Sequence, residues 1–553
     1  MTKRHGSAGQ AILPGEGRRG RRPRVRGPAL PTLPAALAFL LAACGGGPHR
    51  PVDAETENEF TVLAGSELKD IETGLHGDIR EATGLDLTFT YSGTLDAVDR
   101  IAGGGRYDAL WVSHGNYLAM NDAMKGRILA QEKIMLSPVV LGLKASRAHA
   151  LGWDRQEPTW KEIADAAKAG KFTFGMTNPV YSNSGLTATI GLAASLANNS
   201  DALTGADLKN PRLADFFKGQ SLTSGSSGWL AETYERDQSK VDGIVNYESV
   251  LLSLNAGGKL QEPLTLVYPK EGIITADYPL ILLNADKRAD YGRLAAYLRG
   301  RDFQTKMSAQ TLRRPVNPDA ETSPAIPKRM LIELPFPGRA SLISSLLVSF
   351  LSDLQVPGSS RYVLELSGSM EGERLAALKK DMLLLASDAS VGAGNYAKFQ
   401  NREEVGIITF SSKPAATALF PMGGTPEQNS ATRADIARFI NPLSAGGGSA
   451  IYSGVQQALV ELGRDRARGQ EKRCYTVVLM TDGENNSGLS QEEFDNWYRS
   501  QGDTVRGIPV FPILFGEGDT KELGDIAALT GGRVFDSRSN PLASVFKEIR
   551  GNR

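Results

Sequence analysis

The chain has 553 residues, which is too long for one ordinary domain and predicts two to four. Hydrophobic residues make up 41% and charged residues 22%, so the composition is globular and excludes a disordered or fibrous chain. The formal net charge is zero, but the first 43 residues hold eight Lys and Arg and one acid. From Cys44 onward there are 54 basic and 61 acidic residues. This excess of acidic residues argues against a nucleic-acid binder, which would need a basic face.

The N-terminus predicts an export signal. Residues 18–26 are strongly basic, and residues 29–41 form an apolar stretch that is too short to span a bilayer stably. The stretch ends in Leu41-Ala42-Ala43-Cys44, which resembles the lipobox of bacterial lipoproteins. The resemblance implies a signal peptide over residues 1–43 and a lipid on Cys44, which anchors the protein to the extracytoplasmic face of the cell membrane. The alternative is an ordinary secretory signal in which Cys44 is incidental.

Strand and helix patterns alternate along the rest of the chain. After a flexible tether (44–58), the alternation runs through residues 59–320 and predicts an α/β domain with a parallel sheet. A second α/β series occupies residues 359–553. Between them, residues 321–358 are rich in proline and contain one amphipathic segment, Leu342 to Leu354, which predicts a semi-rigid linker.

Oxygen-bearing side chains follow the predicted strands of the second series. The candidates are Glu365, Ser367 and Ser369 after one strand, Ser449 after a glycine-rich loop, and Asp482 after a second strand. Ligands of open α/β sheets bind at the carboxyl ends of strands. Hydroxyl and carboxylate oxygens are the ligands that Mg²⁺ prefers, so the pattern predicts a divalent metal site.

This pattern is similar to the metal-ion-dependent adhesion site of von Willebrand factor A domains, over about residues 359 to 550. The resemblance implies a doubly wound, Rossmann-like fold and a bound Mg²⁺, with Mn²⁺ or Ca²⁺ as alternatives. It also implies a protein partner that offers an acidic residue to the metal. Glu365 stands where the family usually has Asp, and Ser449 where it usually has Thr. Because Mg²⁺ tolerates poor geometry badly, Glu365 acts through water, or the fold is retained with a weakened site.

The histidines argue against catalysis by these serines. All five precede the second series, at His5, His49, His76, His114 and His149. A hydrolase that used Ser367 would have to borrow its base from the other domain. We therefore predict a protein that is not an enzyme.

Residues 59 to about 320 resemble a type II periplasmic solute-binding protein, which implies a two-lobed fold that closes on a small polar solute. The resemblance rests on polar junctions between strands and helices, and the candidate ligand-binding residues are Ser66, Ser92, Thr94, Asn183, Ser184, Tyr247 and Glu248. Free N–H groups at helix N-termini suit anions and polar solutes. The alternative is that Ser66, Thr94 and Asn183 are ordinary N-caps.

Glu248 argues against an oxyanion as the solute, because a carboxylate in the cleft would repel an anion. Either Glu248 points away, or the solute is neutral or cationic, or the pocket is vestigial. The leading hypothesis is a lipid-anchored binding protein that joins a solute-binding module to a metal-dependent, adhesion-type module. The alternative is the solute-binding component of an ABC-type transporter, in which the second domain only docks.

Overall fold

The computed structural model describes residues 58–197, 203–387, 398–469, 472–516, 520–537, 545–546 and 549. The predicted signal peptide, Cys44 and the tether up to residue 57 lie outside the described residues. Within the described ranges, no helix combines the length and the apolar character needed to cross a membrane.

The first half of the chain alternates strands and helices, as predicted. Its strands are Glu59–Ala64 (β1), Asp86–Tyr91 (β2), Ala109–Trp111 (β3), Ala130–Lys133 (β4), Met135–Lys144 (β5), Phe174–Thr177 (β6), Gln220–Ser224 (β7), Gly243–Tyr247 (β8), Leu264–Val267 (β9), Thr275–Ala276 (β10), Pro279–Leu282 (β11) and Arg314–Pro315 (β12). Its α-helices are Lys69–Thr83 (α1), Thr94–Ala102 (α2), Gly115–Met120 (α3), Ala145–Leu151 (α4), Trp160–Lys168 (α5), Asn183–Ser195 (α6), Pro211–Phe217 (α7), Ser227–Arg236 (α8), Glu248–Ala256 (α9), Arg288–Leu298 (α10) and Arg301–Thr311 (α11).

These strands form two sheets, one in each of two lobes. The first sheet has the order β2-β1-β3-β11-β4, and the second has the path β10-β5-β8-β6-β7, with β9 and β12 also paired to β5. β1 is parallel to β2 and β3, but β11 is antiparallel to β3, and β5 is antiparallel to β8. The predicted parallel pairing therefore holds for part of each sheet, and β5 and β11 depart from it. The chain crosses between lobes at Ile134, between β10 and β11, and again before β12, which pairs with β5 of the second sheet.

The predicted amphipathic segment of the linker is helical, as Ala340–Ser349 (α12) followed by a π-helical turn at Phe350–Leu354. Its apolar side chains are buried in the core of the first half, and the Phe350 ring meets Phe217 edge-on at 5.1 Å. The helical part of the linker is thus packed against the first half of the chain.

Upstream of this helix, the linker also touches both lobes. Ile273 of the second lobe donates its N–H to the Ile332 carbonyl at 2.9 Å, and Phe336 packs on the His114 ring of the first lobe at 5.8 Å. Residues 332–336 therefore cross from one lobe to the other.

The second half contains one six-stranded sheet. Its strands are Gly358–Glu365 (β13), Glu404–Phe410 (β14), Ala418–Pro421 (β15), Cys474–Thr481 (β16), Val510–Leu514 (β17) and Phe535–Asp536 (β18), in the order β15-β14-β13-β16-β17-β18. The described helices are Glu373–Leu385 (α13), Pro426–Ile440 (α14), Ile451–Arg468 (α15), Gln491–Ser500 (α16) and Thr520–Thr530 (α17). All neighbouring pairs are parallel except β14 and β15.

Both faces of this sheet are covered by helices. Along β16, Val478 and Met480 point into one apolar cluster with α13 and α14, whereas Val477 and Leu479 point into a second cluster with α15 and α17. An apolar run is the pattern expected of a parallel strand that is buried on both faces. The arrangement is a doubly wound α/β sheet, and the predicted fold class is confirmed.

Candidate metal site and solute cleft

The metal-site candidates lie where the six-stranded sheet of the second half changes its winding direction. β13 and β16 are neighbours, and the chain continues from one toward β14 and from the other toward β17. Glu365 ends β13, and Asp482 directly follows β16. The Ser367 and Ser369 hydroxyls are 2.8 Å apart in the turn after β13. The structure therefore brings these four residues to the edge of the sheet where such folds bind ligands.

Glu365 is completely buried beneath this edge. Its Oε2 accepts hydrogen bonds from the Thr481 hydroxyl and, at 3.2 Å, from the Asp482 backbone N–H, whereas Oε1 has no hydrogen-bond partner. Burial raises the pKa of this carboxyl, and the hydrogen bond from the Thr481 hydroxyl opposes the rise. One oxygen is thus bound to the end of β16, and the other is left over.

Ser449 directly follows the glycine loop, residues 446–448. This loop is hydrogen-bonded to the turn after β13. Gly446 donates its N–H to the Leu366 carbonyl at 2.7 Å, and Gly368 donates to the Gly447 carbonyl at 3.0 Å. Gly447 has a φ of +88°, a conformation that favours glycine. Ser449 itself is buried, and its Oγ has no hydrogen-bond partner.

Arg374 adds a cation that the sequence analysis missed. Its Nη1 donates to Asp482 Oδ2 at 2.9 Å and to the Ser369 carbonyl at 3.2 Å. The Arg374 side chain is 41% exposed, whereas that of Asp482 is 5% exposed. Helical side chains point back toward the N-terminus of their helix. A long basic residue in the first turn of α13 could therefore have been predicted to reach the turn after β13.

The donor set fits a hard divalent cation. It combines three hydroxyls with two carboxylates, which is oxygen chemistry that Mg²⁺ favours. Ser449 Oγ and Glu365 Oε1 are buried without a partner, and bound ions or water are the usual explanation for such atoms. In the part of the chain that the structure describes, no group of three or more His, Cys, Asp and Glu forms a metal cluster, so a metal here depends on the hydroxyls.

The solute-cleft candidates lie where the two lobes meet. Thr94 donates its backbone N–H to Asn183 Oδ1 of the other lobe at 2.8 Å. A Cβ added to Gly93 would lie only 2.6 Å from the Tyr181 carbonyl oxygen, so the two backbones are in contact. The structure therefore brings Thr94 and Asn183 together across a closed cleft.

Glu67 is a cleft residue that the sequence analysis did not single out, although it directly follows Ser66. The Tyr247 hydroxyl of the second lobe donates to its Oε1 at 3.3 Å. Burial raises the pKa of Glu67, while the Arg313 guanidinium and the Asn183 and Tyr247 side chains oppose the rise. An acid therefore faces the second lobe at this contact, with the Arg313 guanidinium close to it.

Three other predicted ligand-binding side chains are bonded within their own lobes. The pairs are Ser92 with Asp96 at 2.7 Å, Ser184 with Thr177 at 2.8 Å, and Glu248 with Arg314 at 2.7 Å. Glu248 is completely buried, and its second oxygen also accepts from Arg314. The prediction that Glu248 binds the solute is corrected, because its carboxylate is neutralised inside the second lobe.

The alternative of ordinary N-caps also needs correction. Ser66, Thr94 and Asn183 are each the first residue of a helix, and the capping positions are Gly65, Gly93 and Ser182, without side-chain cap bonds. The Thr94 hydroxyl is buried and has no hydrogen-bond partner. Its position at the lobe boundary suits a ligand contact better than a capping role.

Comparison with known families agrees with these two halves. Residues 60–310 match the family described as bacterial extracellular solute-binding protein, and residues 362–548 match the von Willebrand factor type A domain. The chain carries both domains. The extracellular class of the solute-binding domain indicates an extracytoplasmic protein, and domains of these two classes are typically not enzymes. Type A domains often bind a divalent metal.

Individual relatives are more distant. An uncharacterised protein of Synechocystis sp. is 29% identical over 136 residues, 25% of this chain and 27% of its own length. Human inter-alpha-trypsin inhibitor heavy chain H3 is 25% identical over 162 residues, 28% of this chain and 17% of its own length. The chain therefore spans about a quarter and about a sixth of these curated relatives. The periplasmic binding protein AfuA from Actinobacillus pleuropneumoniae is 14% identical and covers 54% of this chain and 99% of its own, with a TM-score of 0.43.

Proposed function

We propose that this chain is an extracytoplasmic, non-enzymatic binding protein whose type A domain holds a protein partner through a divalent metal. Ser367, Ser369, Ser449 and Asp482 would hold the metal, with Glu365 behind them. The observation that carries the proposal is the pair of buried oxygens, Ser449 Oγ and Glu365 Oε1, that have no partner. The bound metal, Mg²⁺ in the simplest case, would supply an electron-poor position for an acidic side chain of the partner.

The charge of the site supports a partner of this kind. Hydroxyls are neutral ligands, so they leave most of a divalent charge uncompensated. Asp482 is moreover shared with the Arg374 guanidinium at 2.9 Å, which draws on the same carboxylate. A metal held in this way favours an additional anionic oxygen, and a carboxylate from a second protein provides one.

The solute-binding domain would take a small polar solute between its lobes, at Thr94, Asn183 and Tyr247. Glu67 lies at the same contact, and a carboxylate there disfavours an oxyanion ligand. We therefore propose a neutral or cationic solute. A lipid on Cys44 would hold both binding domains at the membrane surface.

The second candidate function is the solute-binding component of an ABC-type transporter. The closed, two-lobed cleft favours it, since such components deliver a solute that closure has trapped. A thermal-shift panel of amino acids, amines, sugars and oxyanions on the full-length protein tests this function. Stabilisation by one solute class supports it, and the absence of any stabilisation counts against it.

Isothermal titration of the full-length protein with MgCl₂ and MnCl₂ tests the metal proposal. We expect saturable binding to the wild type. Loss of a supporting group around a metal already costs 10–100-fold, so Asp482→Ala should weaken binding by more than about 100-fold. Asp495→Ala is the matched control, because it removes an equally charged side chain from the exposed face of α16 in the same domain. A wild-type protein that binds neither ion would overturn the proposal.

A further inference from the structure

A large cavity lies between the two domains, away from both sites described above. Its volume is about 1100 Å³. One wall comes from β7 and α8 of the solute-binding domain, and the other from the starts of β16 and β17 and the neighbouring loops of the type A domain. Ligand pockets have volumes of about 300–1,000 Å³ and occur preferentially at domain interfaces, so the place suits a ligand and the volume lies just above that range.

The walls of this interdomain cavity are strongly basic. The charged lining residues are Lys240, Arg466, Lys472, Arg473, Arg499 and Arg506, against Asp237 and Asp503. Each acid is already paired, Asp237 with Lys240 at 3.6 Å and Asp503 with Arg506 at 3.2 Å. Asp495, outside the lining, pairs with Arg499 at 3.4 Å. After these three pairs, Arg466 and Lys472 still give the cavity wall an excess of positive charge.

The three cations outside these pairs are each bonded to backbone carbonyls, and Arg473 Nη1 donates to those of Arg402 at 2.8 Å and Gly358 at 3.3 Å. Lys472 Nζ donates to the carbonyls of Gln220 at 2.8 Å and Lys218 at 3.1 Å, across the domain boundary. Arg466 Nη1 donates to the Asp503 carbonyl at 3.3 Å. Carbonyls orient these groups but do not neutralise their charge. Burial lowers the pKa of Lys472, as expected for an ammonium in a partly desolvated wall.

Aromatic side chains complete the cavity and join its two walls. Trp229 of α8 meets Phe511 of β17 edge-on at 6.1 Å, and the Arg533 guanidinium lies 5.8 Å from the centre of the Trp229 ring. Tyr475 and Tyr498 line the same space. The cavity therefore depends on contacts between the domains and offers apolar surface beside its cations.

We propose that the interdomain cavity binds a small ligand that carries a diphosphate or longer phosphate chain. Arginine forks match phosphate oxygens with two parallel hydrogen bonds, and several cations around one space favour a multiply charged anion over a single carboxylate. The binding site is formed jointly by the two domains. It selects the charge opposite to that favoured by the solute cleft, where Glu67 lies.

The test is isothermal titration of the full-length protein with inorganic pyrophosphate, in EDTA so that the metal site is empty of cations. We expect saturable binding of one pyrophosphate per chain. Arg466→Gln/Lys472→Gln should lower the affinity by at least about tenfold, because two charge-assisted contacts are lost. Arg293→Gln/Arg438→Gln is the matched control, since it removes two exposed arginines, one from each domain, that pair with acids on their own helices. Circular dichroism and the melting temperature verify that every variant is folded.

A third variant tests whether the site belongs to both domains. Trp229→Ala removes no charge but loosens the joint, so pyrophosphate should bind it several-fold more weakly than the wild type. Unchanged affinity in this variant would overturn the two-domain site. Absence of pyrophosphate binding by the wild type, or an equal loss in the Arg293→Gln/Arg438→Gln control, would overturn the proposal itself.

Discussion

The two candidate sites occupy the same kind of position and differ in what becomes of their polar groups. Both lie beyond the carboxyl ends of parallel strands. In the solute cleft, groups from opposite lobes bond to each other: Thr94 to Asn183, and Tyr247 to Glu67. In the metal site, buried oxygens have no partner in the protein.

This difference follows from how each site is constructed. The cleft joins two lobes, so its polar groups satisfy one another when the lobes close and reach water when they separate. The metal site lies on a single sheet, where β13 and β16 hold Glu365 and Asp482 in fixed register. We therefore expect the cleft to be governed by closure and the metal site to be preformed. Three predictions, from the largest effect to the smallest, test this contrast.

Glu248→Ala should produce the largest effect, on stability alone. Glu248 is completely buried and pairs with Arg314, so its removal leaves a charge with little access to water. Breaking a buried ion pair on one side costs about 3–5 kcal/mol, which urea unfolding would measure. Asp290→Ala, which breaks the half-exposed pair with Arg293, should cost less than about 1 kcal/mol. If Glu248→Ala lost solute binding but kept its stability, Glu248 would be a ligand-binding residue of the cleft after all.

His114 should make closure of the first half sensitive to acid. Its Nε2 lies 2.7 Å from the Thr187 hydroxyl, and burial lowers its pKa from 6.5 to about 4. The unfolded chain therefore binds a proton at higher pH than the folded one, and stability is lost as the pH falls from about 6.5 toward 4.

Between pH 7 and pH 5 this loss should amount to about 2 kcal/mol in the free energy of unfolding. Urea unfolding at the two pH values measures it, and His114→Gln should lose less stability over the same interval. If wild type and variant show the same pH dependence, His114 does not contribute to the acid sensitivity.

Arg374→Gln should have the smallest effect, on the metal site. The variant releases Asp482 from its ion pair and removes a nearby positive charge. Because Arg374 is partly exposed, we expect a gain of about 1 kcal/mol at most, or up to about fivefold tighter Mg²⁺ binding by calorimetry. Arg438→Gln, with the same change of charge on α14, should bind Mg²⁺ like the wild type. Weaker binding in Arg374→Gln would mean that the arginine holds Asp482 in place for the metal.

Sequence patterns were sufficient where burial alone determines structure. The apolar run Tyr475 to Met480 predicted a central strand, and the structure has it as Cys474–Thr481. Most residues of the candidate metal site could be named because they lie at or just after the end of such a strand, whereas Ser449 follows a glycine-rich loop. Periodicity does not indicate strand direction, however, so the antiparallel β5 and β11 were missed.

Contacts between distant segments account for the remaining differences. Glu248 was placed in the cleft because it follows β8, but its partner Arg314 lies 66 residues further along the chain, in a two-residue strand. Glu67 became a cleft residue only through Tyr247 of the other lobe. The linker was predicted to be semi-rigid and to contain an amphipathic segment, and the structure shows what that segment packs against: the apolar face of α12 is buried in the core of the first half.

β16 has one further consequence, for mechanical load. Cys474 at its start lines the space between the domains, and Asp482 follows its last residue. Its eight residues span about 26 Å at about 3.3 Å per residue. β13 and β17 pair with it on either side. A pull on a partner held at Asp482 would load both hydrogen-bond ladders in shear and would arrive at the joint between the domains. If the proposed partner binds at Asp482, the strand would therefore transmit force from that partner to the solute-binding half.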